Sequence, residues 1–350
     1  MAFQPAFCLL LLICVSTATA ATQEPEPEFD SSEPSTERVA QPEVDPEAKA
    51  AWMAQQKLWA SRPLPEDAES LQAYTVQLRN DHLAFYQAWP NSSFGWRALV
   101  EAARLEKQLP GAEFQSLKRM LQGLEILQKA RQKDPNSFPG ISLPLHQLLC
   151  ARYAADLKQF EQARKLLQPL ADQESPAQEV AKRRLAFLQR QELCQVGNPA
   201  PSFLVLDQGG KSHSLSEFHG RVLLLEFQSP AALMGAKGFT RENVFRQELL
   251  DRGVAVLVLW LEARPANWKA SESLTGIPQI EAPFADPKGI AWNFAVGASP
   301  SKILIDGDGV IRGRDLRDGE LRSLVDTLLA KDAEPESDDS KLEQTNGGNF

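Results

Sequence analysis

The chain reads as two folded parts in series, an all-α N-terminal region and a mixed-sheet α/β domain. Three observations carry that reading. Apolar residues recur at helical spacing from about 49 to 195, the period changes to strand-like runs after Cys194, and two acidic, proline-broken arms flank the whole. At 350 residues the chain is long enough for two domains, each with its own core.

Residues 1–20, MAFQPAFCLLLLICVSTATA, combine a short apolar run with the small-residue ending Ala18-Thr19-Ala20, the pattern of a cleavable secretory signal. The run is shorter than the roughly 20 residues a membrane-spanning helix needs. An exported protein, periplasmic or extracellular, with no membrane span once the signal is removed, is the expectation. Residues 21–48 hold nine acids, one arginine and five prolines, and residues 332–350 hold six acids and one lysine. These arms carry −13 of charge against a total of −9, leaving about +4 on the segment between them. So polar a composition cannot bury enough apolar surface to offset its ordering entropy, and both arms are expected to be disordered. No basic patch interleaved with aromatics is present, which argues against nucleic acid as a partner.

Within 49–195 one apolar stripe runs through Leu71, Tyr74, Leu78, Phe85 and Trp89 and another through Phe114, Leu117, Leu121, Leu124 and Leu127. Breaks fall at 61–65, 89–93, 109–111 and 134–140, where Pro, Gly, Asn and Ser cluster, so six or seven helices are expected. The stretch 150–189, with Tyr153, Phe160, Ala163, Leu166 and Leu170 in register, resembles a tetratricopeptide repeat, with a plain antiparallel bundle as the alternative. His82 and His146, without a metal-spaced companion, read as ordinary packing or surface residues.

After Cys194 a short strand (203–206), a Gly209-Gly210 turn and a second edge lead to the buried run 222–227. A helix ending near Gly253, a buried strand at 254–261, a helical stretch around 268–274, two strands at 302–305 and 310–313, and a helix at 318–329 follow. This order predicts a central mixed sheet covered on both faces. Asp306-Gly307-Asp308-Gly309 reads as the turn of the last hairpin. His213 and His219, six apart without a matching carboxylate, read as surface residues, and no metal cluster stands out.

The strings VGNPAPSFLVLDQGGKSHSLSEFHGRVLLLEF and VGASPSKILIDGDGVI, with the residues between them, resemble the thioredoxin-like TlpA/ResA branch and its AhpC/TSA (redoxin) relatives over 196–331. The resemblance implies that Pro300, after Ser299, is a cis-proline whose loop faces the active site. In that family a Cys-x-x-Cys follows the strand read here as LLLEF, at a helix N-terminus that favours the thiolate. Aligned on that pattern, the two cysteine positions are Ala232 and Gly235, and a peroxiredoxin register falls on Ala236, so neither alignment finds sulfur. The expected site is therefore degenerate. It retains Gln228 and Ser229 at the end of the strand and Ser299 and Pro300 on the facing loop as binding residues for a protein or extended peptide, with no cofactor and no metal. Cys150 and Cys194 remain after signal removal. They are read as a disulfide, as two inert thiols, or with Cys194 as a reactive thiol that would support an oxidoreductase instead of a binding module.

Overall fold

The computed structural model describes residues 45–230, 236–263, 276–284 and 286–333. The signal-like residues 1–20, the arms at 21–44 and 334–350, and the helical stretch expected at 268–274 lie outside the described residues. Two compact units divide between Leu188 and Gln189, inside a helix.

In the N-terminal unit seven helices are described: α1 (Pro46–Ala60), α2 (Ala68–Ala88), α3 (Ser93–Glu106), α4 (Glu113–Lys133), α5 (Leu143–Asp156), α6 (Phe160–Asp172) and α7 (Gln178–Leu193), the last crossing into the second unit. The breaks fall where Pro, Gly and Asn interrupt the helical period. One expectation is corrected at the start: residues 46–48, assigned to a disordered arm, are helical. The Asp45 carboxylate accepts from the Glu47 and Ala48 amides, and Pro46 supplies the pre-set φ of a first helical turn, so local capping overrides the acidic composition. Ser92 and Ser142 cap α3 and α5 in the same way.

Successive helices from α2 to α6 pack on one another; the core of α3 to α7 includes Leu117, Met120, Leu124, Leu127, Tyr153, Ala163, Leu166 and Leu170, while Phe85 of α2 packs with Trp52 and Ala98 in a second cluster. Phe114, placed in that stripe by periodicity, is instead 62% exposed, because it occupies the second position of α4, a turn before the packed face begins. Of the packing and surface roles left open for the two histidines, the structure shows packing. His82 stacks on Trp59 with ring centroids 3.9 Å apart, and His146 donates from Nε2 to the Met120 carbonyl at 3.1 Å. Burial lowers both, His146 to about 4, so each is neutral at pH 7.

The C-terminal unit is built on a five-stranded sheet in the order β5-β4-β3-β6-β7: β3 (Leu223–Gln228), β4 (Ala255–Trp260), β5 (Gln279–Glu281), β6 (Ser301–Ile305) and β7 (Ile311–Arg314). Strands β3, β4 and β5 are parallel to one another, and β6 and β7 are antiparallel additions. A separate antiparallel hairpin, β1 (Leu204–Leu206) with β2 (Ser212–Ser214), approaches β5 through an Asp207–Ile280 bridge. Strand β5 escapes the sequence reading because its three residues lie between Pro278 and Pro283 and show no period of their own.

All six residues of β3 are buried, as a strand covered on both faces requires. Leu223, Leu225 and Phe227 pack into one core, with Phe294 of helix α9 (Ile290–Asn293) just past its end. Leu224 packs on the opposite face into a core with Phe245 and Leu249 of α8 (Ala236–Asp251) and Leu321 and Val325 of α10 (Asp318–Ala333). The Asp306–Gly309 turn forms as expected. Gly309 sits at φ +81°, and one Asp306 carboxylate oxygen accepts from the Asp308 and Val310 amides.

Candidate functional site

Strand β3 is antiparallel to β6, so its C-terminal end lies beside the start of β6. Pairing stops at Phe227 and Ser301. Beyond it, the end of β3 and the residues before β6 face each other at one end of the sheet. There the Ser229 amide donates to the Ser299 hydroxyl at 2.8 Å, tying the two segments together. The Ser299–Pro300 peptide bond is cis, as the family resemblance implies, and Pro300 is exposed. All four expected binding residues therefore meet: Gln228 and Ser229 are buried, Ser299 is half-buried, and Pro300 reaches solvent. Ala232 and Gly235 lie outside the described residues, and Ala236 is the first residue of α8.

Beneath this end of the sheet is a charged network that the sequence reading missed. The alternation that sends Leu224 toward α8 and α10 sends Glu226 and Gln228 the same way. The Glu226 carboxylate, fully buried, accepts from Arg246 Nε of α8 at 2.6 Å and from Gln228 Nε2 at 2.8 Å. Arg246, also fully buried, donates from Nη1 to Asn243 at 2.7 Å. Lys302, two residues after the cis-proline, donates from Nζ to Glu242 of α8 and to Asp318 of α10, each at 3.0 Å, and lies 3.8 Å from Glu226. Its ammonium also sits 4.8 Å above the Phe245 ring.

Burial alone would raise the Glu226 carboxyl, but Arg246, by charge and hydrogen bond, together with Lys302 and Gln228, holds it below its ordinary value. Burial raises Glu242, the nearby Glu226 charge raises it further, and Lys302 offsets this only in part. Lys302 is raised despite its burial, by Glu226 and Glu242. A charge at 226 inside a strand of Leu and Phe was the one sequence signal available. A full charge is buried there only when partners neutralise it, so it announces a partner without naming one.

The two cysteines among the described residues are Cys150 and Cys194. Cys150 is buried in α5, donates to the Met120 carbonyl at 3.4 Å, and has its thiol pushed up to about 12 by burial. Cys194 is buried in the core that takes the Phe227 face of the sheet, opposite Glu226. Its Sγ donates to the Asn293 carbonyl at 3.2 Å. Burial raises its thiol too, against a smaller opposing pull from Arg314 and Arg190. Both thiols are free, so the disulfide reading is set aside, and the two residues fall in different units. Burial favours the thiol form of Cys194 over the thiolate.

His213 requires a correction. It is buried, not at the surface, with Nε2 3.0 Å from Asp207 and Nδ1 3.1 Å from Glu217. Pairing of Val205 with His213 folds the β1–β2 turn over the ring, and a 3₁₀ turn at Leu215–Phe218 brings Glu217 to its other side. These contacts depend on the hairpin, so spacing alone hid them. His219 is exposed as expected. Among the described residues no group of three or more His, Cys, Asp or Glu could hold a metal ion.

A parallel β3-β4-β5 core extended by the antiparallel hairpin β6-β7, with a cis-proline opening β6 and helices on both faces, defines the C-terminal unit as a thioredoxin-like domain. It carries the fold of the TlpA/ResA thiol-disulfide oxidoreductase type. The chain is 28% identical over 127 residues to the thiol-disulfide oxidoreductase ResA of Bacillus thuringiensis and, to the same extent, to that of Bacillus anthracis. Each match covers 36% of this chain and 72% of the relative. Among solved structures, the thioredoxin domain of a thiol-disulfide oxidoreductase from Bacteroides vulgatus aligns with 24% identity and a TM-score of 0.33, covering 39% of this chain and 98% of that one. No family model matches the chain.

Proposed function

We infer that this is an exported protein whose thioredoxin-like domain binds protein or extended peptide without redox turnover. The observation that carries the reading is one of composition: from Gln195 to Phe350 the chain contains no cysteine. Thiol–disulfide exchange proceeds by thiolate attack through a mixed disulfide, and peroxide reduction proceeds through a sulfenic acid, so both need a cysteine thiol at the site. Alanine and glycine at 232, 235 and 236 supply none.

What remains suits recognition of a backbone. Ser299 and Pro300 lie past the last β3–β6 pair, where an extended chain can add alongside. The helical unit, read as tetratricopeptide-like, would offer a second surface for the same partner or another. Residues 1–20 direct export in this reading, and N-terminal sequencing of the mature protein is expected to begin at Ala21. A product retaining Met1 would refute export by cleavage.

The relatives that match are named as thiol-disulfide oxidoreductases, which keeps a redox enzyme working through Cys194 as the competing reading. Purified protein and a Cys194→Ala variant decide between them in insulin-disulfide reduction and peroxide-consumption assays. Neither protein is expected to exceed buffer. In parallel, reduced and alkylated insulin B chain, serving as an extended peptide, is expected to shift the Ser229 and Ser299 amide resonances. Turnover present in the parent and lost in the variant would overturn the binding-module reading.

A further inference from the structure

The His213 ring is only 2% exposed, and a carboxylate stands at each of its nitrogens. Asp207 Oδ2 lies 3.0 Å from Nε2, and Glu217 Oε2 lies 3.1 Å from Nδ1. An ionised carboxylate only accepts hydrogen bonds. A neutral imidazole has one donor and one acceptor nitrogen, so it would serve one of these carboxylates and turn a lone pair toward the other. The imidazolium alone donates to both.

Each carboxylate is held in this orientation by its other oxygen. Asp207 Oδ1 accepts from the Lys211 amide at 2.9 Å, and Glu217 Oε1 accepts from Lys211 Nζ at 3.3 Å, which leaves Oδ2 and Oε2 for the ring. The hydrogen bond from His213 is the first cause that holds the Asp207 carboxyl below its usual range. Burial would raise Glu217, but Lys211 and His213 together hold it low.

We propose that His213 is a doubly protonated imidazolium in the folded domain and acts as a latch, fastening the β1–β2 hairpin to the Leu215–Phe218 turn and, through Asp207, to the edge of the sheet. Asp207 is the joint between the two. Its backbone bridges to Ile280 of the edge strand β5, and the neighbouring Gln208 amide donates to the Gln279 carbonyl at 3.2 Å. An edge strand left open presents unpaired backbone groups, so the latch governs how firmly this part of β5 stays covered. The charged groups that meet the ring or its partners are Asp207 and Lys211 from the hairpin and Glu217 from the turn. Strand β5 meets the hairpin through the backbone contacts just given.

The latch gives way in both directions of pH. Asp207 and Glu217 are lowered from references of 3.8 and 4.5, so their contribution is present above those references and is lost as pH falls through the lowered folded values. On the alkaline side, loss of one ring proton turns a donor nitrogen into an acceptor facing a carboxylate, and one of the two contacts is broken. This device does not depend on whether the cis-proline site binds peptide.

The test reads the ring nitrogens of the full chain, labelled with 15N at histidine, by long-range 1H–15N correlation at pH 7. His82 and His146, neutral at that pH, supply the signature of an unprotonated ring nitrogen in the same spectrum. Both nitrogens of His213 are expected at the protonated position, and a lone-pair nitrogen on His213 would overturn the proposal. The latch itself is read by hydrogen exchange of the Gln208 amide in the parent and in His213→Phe, which fills the ring's space without donors. The variant is expected to lose about tenfold or more in protection at that amide. Unchanged protection there would equally overturn the latch. Because the ring nitrogens are read on the unsubstituted protein, a variant that folds poorly leaves the first criterion intact.

Discussion

Replacing Arg246 with methionine is expected to destabilise the C-terminal unit by about 3–5 kcal/mol, among the largest effects any single substitution here should produce. The size comes from what is left behind. Methionine keeps much of the arginine stem's packing, but it leaves Glu226 fully buried with Gln228 as its hydrogen-bond donor and Lys302 no nearer than 3.8 Å. In the parent the Glu226 carboxyl is held below its ordinary value, so its contribution is present above the unfolded reference of 4.5 and is lost as pH falls through the lowered folded value. Without the guanidinium, burial dominates and raises that carboxyl, and its contribution reverses sign, so the variant should gain stability as pH falls. Urea denaturation between pH 5 and 8 reads both effects. A loss below about 1 kcal/mol with the parent's pH slope would mean that the pair is not the electrostatic anchor described here. The double variant Glu226→Gln/Arg246→Met should recover part of the loss, because removing both charges leaves neither unpaired.

Phe294→Ala is expected to cost a similar amount, about 3–5 kcal/mol, for a different reason. Phe294 is fully buried just after α9, with its ring centroid 6.1 Å from that of Phe203 and 6.3 Å from that of Phe227. It therefore joins β3 to the segment before β1 and to the chain that leads toward Ser299. Truncation removes a ring that neighbours on three segments cannot follow, so a cavity remains and its cost adds to the lost transfer energy. Arg314, which donates to the carbonyls of Phe294 and Ala295 at 2.8 and 2.6 Å, holds the backbone in place and limits collapse into the gap. Denaturant midpoints should fall with little change in the m-value, and Phe294→Leu should lose clearly less. Equal losses for the alanine and leucine variants would show that volume is not what the site needs.

How much of this was legible depended on the range of the interaction. Helix breaks at Pro and Gly, the buried runs that became β3 and β4, and the Asp306–Gly309 turn are decided by a few neighbouring residues, and each formed where the pattern placed it. The cis-proline loop came from family resemblance and not from any local rule, and the structure places it beside Ser229. Local capping, too short-ranged for composition to reveal, made residues 46–48 helical. Strand β5, three residues between prolines, is held by pairing with β4 and has no period to read. The partners of His213 required a hairpin to fold over it.

The chain by itself determined that residues 195–350 carry no cysteine, because composition is independent of folding: no arrangement of them can produce a thiol that is absent. It determined equally that Glu226 interrupts an apolar strand. Only the tertiary structure decided what that charge meets, by bringing Arg246 from a helix and Lys302 from a distant strand to it. How that carboxylate is neutralised is set by the distances and burial that the fold gives residues far apart in sequence, on which Coulomb energy and desolvation depend.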